Sequence, residues 1–338
     1  MSLALPLTQQ AWRAHTQGQP RKVITLDEIP VPRPGPGQAL VKVNAAALNP
    51  AGFNLLRMIP NFIAKRPQIV EYDYCGTVIE SNGSPFKPDD IVWGCTFNAG
   101  GGTMAQYILV DKETAALKPK DLSVDEAAGL AMIGVTAEQA IYGAAGIRAG
   151  QTILVIGGSS GVGSLSIRML KHLGCTVYAS CSTRNIELVR SLGADVVYDY
   201  TIAPLRKQII ESSPMPKFDA ILDLVGPYDV FIHCEDYLLA DGNYVNMGTP
   251  FLSPFGAIRF MAYGRWLRRP AWLGGTPRKW EFMAAKCNSQ AFARLNAVIT
   301  EGSIAPTIDS VHEWDDLMKA YDRIMTGRTR GKVIVRVP

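Results

Sequence analysis

The sequence predicts an α/β chain of two domains, one mostly β and one a doubly wound parallel sheet. Three observations carry that expectation. Residues 1–128 break into short β-branched or alternating runs separated by Pro and Gly. From Thr152 onward, apolar strands alternate with helical segments. Between the first of these strands and its helix stands the glycine-rich turn Gly157-Gly158-Ser159-Ser160-Gly161-Val162-Gly163.

In chain order, Val23–Leu26 and Ala39–Val43 are strand candidates flanking the turn-rich stretch Pro30–Gly37. Gly76–Glu80, Asp90–Gly94 and Ala105–Val110 follow, with no long helix expected among them. Ser123 with Glu126 three residues on is a capping box and opens a helix. Ile153–Ile156 is apolar throughout, as a strand covered on both faces must be. The helix after the turn is expected to reach about Leu173, with a strand at Thr176–Ser180 and a helix at Asn185–Leu192. Phe218–Leu224 and Asn243–Met247 continue the alternation, and Gly331–Val337 reads as an alternating strand.

Composition narrows the class. The chain has 338 residues, 47% hydrophobic and 19% charged, which suits a globular enzyme and excludes disorder. A net charge of +4 is too small to imply nucleic acid. Six cysteines are scattered singly, so neither a disulfide framework nor a zinc lobe is expected, and reduced thiols in a cytoplasmic enzyme are the simpler reading. No apolar run reaches the roughly 18 residues of a membrane span, and no signal peptide is expected.

In its context the glycine turn fits a pyrophosphate: glycines allow close backbone approach, and the helix start offers N–H groups and partial positive charge. Its candidate contacts are Ser159, Ser160, Gly161, Val162 and Gly163. The same residues also match G-x-S-x-G, a hydrolase nucleophile elbow with Ser159 as nucleophile and Asp223 and His312 as partners. A third glycine at position 163 is not needed by an elbow. After the second strand, where an NAD enzyme places a carboxylate, the chain reads Ser182-Thr183-Arg184-Asn185. Arg184 can pair with a 2′-phosphate while Ser182 and Asn185 bond its oxygens, so NADPH is the expected cofactor. The alternative, that these residues only cap the next helix, is compatible with that role.

Together with Ser191–Asp195, Asp199-Tyr200, Ala47–Pro50, Asp73-x-x-Gly76-Thr77-Val78 and Gly331-Lys332-Val333, these motifs resemble the medium-chain dehydrogenase/reductases. Within them the chain is most similar to zinc-independent quinone oxidoreductases and fungal trans-acting enoyl reductases. The resemblance implies a GroES-like, mostly β domain over 1–128 and 304–338 and a Rossmann NADPH-binding domain over 129–303. It places Ser182, Arg184, Asn185 and Tyr200 at the 2′-phosphate side, Thr136 near the nicotinamide, and Leu224, Gly248, Thr249 and Lys332 around the cofactor. The zinc-ligand positions of metal-containing relatives fall on Asn49, Tyr72 and Met132, which are poor ligands, so no metal is expected.

Without a Lewis acid, hydride transfer to an already activated acceptor is the expected chemistry. Asn49 is the candidate hydrogen-bond donor to the developing charge, or else only orients the nicotinamide or holds a water, and Tyr72 is either a proton donor or an aromatic wall. The chain departs from the family pattern near this end: Asn-Pro-x-Asp becomes Asn49-Pro50-Ala51-Gly52, and a common glycine becomes Glu71, either an acid of the site or, as the simpler expectation, a solvated surface carboxylate. The four histidines, His15, His172, His233 and His312, lie outside the matched motifs. Residues 251–280 mix arginines and aromatics without an acid. They fit an acidic carrier protein, a membrane surface or a long, carrier-bound acyl substrate, or else an insertion packed on the Rossmann domain, at a homodimer interface or beside the substrate mouth. The expected function is an NADPH-dependent enone or enoyl reductase acting on a small molecule, as in secondary-metabolite biosynthesis. The alternatives are an NADPH:quinone oxidoreductase and a non-catalytic NADPH-binding sensor or partner protein.

Overall fold

The computed structural model describes residues 5–97, 101–226, 228–248 and 262–338. The chain divides into two compact units, 1–135 with 286–338, and 136–285. Residues 129–135 and 286–303, expected in the second domain, therefore group with the first. The cause is packing: Phe292 meets Trp93 edge-on with ring centroids 5.4 Å apart, and Leu295 closes against Gly134, where a Cβ would come within 2.5 Å of it.

In the first unit, β1 (Thr8–Ala14), β2 (Ile24–Pro30) and β4 (Gln68–Ile69) form a small antiparallel sheet. The larger sheet runs β15 (Ile308–His312), β16 (Lys332–Arg336), β3 (Gln38–Leu48), β5 (Asp73–Asn82), β6 (Ile91–Cys95), β8 (Ala115–Leu117), and β7 (Tyr107–Val110) also pairs with β3. Helix α1 (Pro50–Met58) follows β3 directly, with Pro50 in its first turn and no interior hydrogen bond lost thereby. The strand β16 is buried from Lys332 to Val335 rather than alternating, because it lies between β15 and β3.

The Ser123–Glu126 capping box forms as read. The Ser123 amide donates to Glu126 Oε2 at 2.8 Å, and the Glu126 amide to Ser123 Oγ at 3.2 Å. It opens α2 (Val124–Glu138), which leads the chain into the second unit.

In the second unit, a parallel sheet follows the order β11 (Val196–Asp199), β10 (Thr176–Cys181), β9 (Thr152–Ile156), β12 (Phe218–Asp223), β13 (Leu238–Asn246), β14 (Lys279–Phe282). In chain order this is 3-2-1-4-5-6, so the strand order reverses between β9 and β12, and ligands of such sheets bind at the carboxyl ends there. The helices α3 (Gly161–His172), α4 (Ile186–Ser191) and α5 (Leu205–Glu211) connect successive strands. The first unit also holds α6 (Ser289–Gly302) and α7 (Leu317–Met325).

Of the basic and aromatic segment, Phe251, Phe255, Arg259 and Phe260 lie outside the described residues. Trp280 and Leu267 are buried in the second unit's core, with the Arg268 guanidinium 5.2 Å from the Trp280 ring centre. Trp272 is 81% exposed, so packing accounts for only part of this segment. No helix among the described residues is long and apolar enough to cross a membrane.

Candidate active site

The glycine turn stands at the end of β9 and the start of α3. Gly157 has φ 88°, in the left-handed region open to glycine. A Cβ on Gly163 would lie 2.3 Å from the Gly157 carbonyl oxygen, so the helix can approach the strand end this closely only with glycine there. Ser160 caps α3, its Oγ accepting from the Gly163 amide at 3.1 Å. The other first-turn N–H groups, from Gly161 and Val162, have no acceptor within the helix. These features fit a pyrophosphate against the helix start.

The residues after β10 come to the same place. The Asn185 amide donates from Nδ2 to Ser159 Oγ at 2.9 Å, and the Gly158 amide donates to the Ser180 carbonyl at 2.9 Å. The Tyr200 amide donates to the carbonyl of Cys181, the residue before Ser182, and both Tyr200 and Arg184 are exposed. Asp199, which sequence reasoning did not single out, has its carboxylate taken up locally by Thr183 Oγ1 at 2.5 Å and by the amide and hydroxyl of Thr201. Ser159 Oγ accepts from the Asn185 side-chain amide, and His312 shares a hydrogen bond with Ser310.

Across the point of strand reversal, Leu224 and Gly248 are held together by Asp223. Its Oδ1 accepts from the amides of Val225 and Gly226 at 2.9 and 2.7 Å, and its Oδ2 from Tyr244 Oη at 2.8 Å and Asn246 Nδ2 at 3.1 Å. Burial raises this carboxyl above its ordinary range, and these four donors oppose the rise only in part. Gly248 lies against Val225, where a Cβ would meet backbone at 2.7 Å. Thr136 is half-buried on α2, and Thr249 lies outside the described residues.

A second polar group sits in the first unit, and strand register assembles it. Val333 pairs with Leu48, so Lys332 at the start of β16 reaches Asn49 just past the end of β3. Ala47 pairs with Asp73, so β5 begins beside the same point. Lys332 Nζ donates to Asn49 Oδ1 at 2.7 Å and to Asp73 Oδ2 at 3.0 Å. Asn49 Nδ2 donates to the same Asp73 oxygen at 3.0 Å, and the Met132 amide to Asp73 Oδ1 at 3.2 Å. All three residues are at most 3% exposed. The partners fix the amide's orientation, since an ammonium only donates and a carboxylate only accepts. Among the described residues these bonds leave one Nδ2–H of Asn49 and one Nζ–H of Lys332 over. Asp73 is the residue sequence reasoning missed here; it stood in a quoted motif, but only the register shows that it meets Lys332.

Glu71 corrects an expectation. It is not a solvated surface group but 1% exposed. Its Oε1 accepts from Tyr321 Oη at 2.7 Å and its Oε2 from the Asn49 amide at 3.0 Å. Burial pushes its carboxyl from the ordinary 4.5 up to about 7, against the opposing pull of Tyr321, the Asn49 amide and Lys332. The folded state thus keeps the proton to higher pH than the unfolded chain does. Its contribution to stability is complete below the unfolded value and is lost as pH rises toward the folded one. Glu71→Gln mimics the protonated acid and escapes that loss. Relative to wild type, the variant is expected to gain on the order of 3 kcal/mol in denaturant unfolding between about pH 4 and pH 8. A stability difference that does not change with pH contradicts this.

Tyr72 is half-buried, its ring edge-on to Phe97 with centroids 4.8 Å apart. Burial, and then Glu71, push its phenol up to about 12. Of the histidines, His15 bonds Asp27 and His233 pairs with Asp229, while His172 is exposed.

Two family signatures match the chain, an alcohol dehydrogenase GroES-like domain over residues 35–120 and a zinc-binding dehydrogenase domain over residues 192–335. Trans-enoyl reductase pgmF of Aspergillus terreus is 33% identical over 361 residues, covering 100% of this chain and 98% of its own. The chain belongs to the medium-chain dehydrogenase/reductases. A 2-methylene-furan-3-one reductase of Solanum lycopersicum is 31% identical over 99% of this chain and 80% of its own. The solved quinone oxidoreductase of Coxiella burnetii superposes with a TM-score of 0.82 at 27% identity, covering 98% of this chain and 100% of that one. This medium-chain dehydrogenase/reductase is accordingly an oxidoreductase that uses a nicotinamide cofactor, and its GroES-like and Rossmann architecture is the one expected from the sequence.

Proposed function

We propose that this chain is an NADPH-dependent, zinc-independent reductase that adds hydride to the conjugated carbon–carbon double bond of an enone or enoyl compound. The observation that carries the reading is the buried Lys332–Asn49–Asp73 group. Reduction of a conjugated acceptor moves negative charge onto the conjugated oxygen, and preorganised donors in a water-poor site stabilise such charge most effectively. The N–H groups left over on Asn49 and Lys332 are donors of that kind. Zinc does not suit the residues. Asn49 Oδ1 already faces an ammonium, the Tyr72 phenol stays protonated, and Met132 offers only a thioether.

A bound NADPH supplies the hydride. Gly163, the α3 start and Ser160 suit its pyrophosphate, and Ser182, Arg184, Asn185 and Tyr200 suit its 2′-phosphate. With two electrons and a proton added at the β carbon, the α carbon takes a second proton. The high value of the Tyr72 phenol supports a wall there, with solvent supplying that proton. Trans-enoyl reductase pgmF and the 2-methylene-furan-3-one reductase among the relatives support a conjugated carbon–carbon acceptor. The Coxiella fold neighbour favours a quinone as the second reading.

Loss of NADPH absorbance with an enone, an enoyl thioester and a quinone tests the reading. Turnover is expected with the first two, and no turnover with any of them would refute it. Arg184→Ala is expected to raise the KM for NADPH about tenfold while leaving that for NADH within about twofold, the loss of one charge-assisted pair. Equal effects on both nucleotides would place the 2′-phosphate elsewhere.

A further inference from the structure

We propose that Glu71 is a positioning residue for Asn49: its carboxyl holds the first turn of α1 from outside the helix and keeps the Asn49 main chain in register with Asp73 and Lys332. Three observations join in this. The Asn49 amide, at the start of α1, donates to Glu71 Oε2 at 3.0 Å, and the helix has no side-chain cap of its own. Tyr321, from α7, donates to the other carboxyl oxygen at 2.7 Å. Glu71 itself has φ 60°, a left-handed conformation costly for any side chain but glycine, which persists only where the surroundings enforce it.

Gly52 completes the arrangement. A Cβ there would lie 2.4 and 2.6 Å from the two oxygens of Glu71. The carboxyl therefore occupies the place where a side chain at position 52 would begin. The two departures from the family pattern, Gly52 for Asp and Glu71 for Gly, are one exchange: the carboxylate beside the helix start is delivered from position 71 rather than from position 52. The titratable groups facing it are Tyr321 from α7, Lys332 from β16, Asp73 from β5, and Tyr72 beside it in the chain.

The kinetic test rests on the reductase reading. Ionised Glu71 is the stronger anchor for the Asn49 amide and the Tyr321 hydroxyl. Wild-type kcat is expected to fall as pH drops through about 7, the range in which Glu71 takes up its proton. Glu71→Gln is expected to remove that limb and to hold kcat about tenfold below wild type at about pH 8, with the KM for NADPH within about twofold. A limb that persists in Glu71→Gln, or equal kcat at about pH 8, overturns the proposal. The reciprocal exchange is the second arm. Gly52→Asp and Glu71→Gly are each expected to lower the melting temperature, and the double variant to recover most of both losses. A double variant no better than the sum of the two overturns the interlock. Should wild type reduce no conjugated acceptor, the reductase reading fails, and the melting cycle alone decides the role of Glu71.

Discussion

Lys332→Met is expected to lower stability by about 3–5 kcal/mol, because it leaves the Asp73 carboxylate buried without its cation. The side chains of the pair are only 4% and 0% exposed, so solvent screens little of this effect. Denaturant unfolding measures it directly. The same variant removes the cation nearest Asn49 Oδ1, and kcat for a conjugated acceptor is expected to fall about a hundredfold or more. Adding Asp73→Asn should return part of the stability but not the activity, since the ion pair is then absent rather than broken. Recovery of both would mean that Lys332 matters only to folding.

Gly163→Ala carries the second large effect. The added carbon would stand 2.3 Å from the Gly157 carbonyl oxygen and 2.9 Å from the Gly158 Cα, both backbone atoms that cannot rotate away. The start of α3 must move off the end of β9, at a cost of about 1–3 kcal/mol of overpacking. The amides of Gly161 and Val162 then lose their aim, and the Kd for NADPH, measured by fluorescence titration, is expected to rise about a hundredfold, or roughly 2.8 kcal/mol. Unchanged NADPH affinity would remove the pyrophosphate from this turn.

How much of this was legible without coordinates follows from the range of the interactions. The nucleotide end depends on contacts between residues close in the chain, so the run from Gly157 to Gly163 and the cluster from Ser182 to Asn185 could be read as one site. The end of the second domain was misplaced because α6 is amphipathic, and nothing local says that Phe292 will meet Trp93. The first-unit group depends on strand register between residues some 260–280 positions apart, Lys332 with Asp73 and Asn49. Asn49 and Lys332 were each singled out, but for different duties, and Asp73 was passed over. Glu71 was misjudged because a glutamate reads as a surface residue unless a buried donor is known. Its donors are Tyr321 and a main-chain amide, and the one local signal was the paired departure at Gly52 and Glu71.

The central claim, hydride delivery from NADPH onto a conjugated carbon, is tested most directly by isotope transfer. NADPH carrying deuterium at its transferable position is incubated with the enzyme and an enone, and the product is analysed by mass spectrometry and NMR. The predicted result is a saturated product with deuterium on the β carbon, hydrogen from solvent on the α carbon, and much less product when NADH replaces NADPH. Deuterium on the carbinol carbon of an allylic alcohol, or turnover that favours NADH, would contradict it.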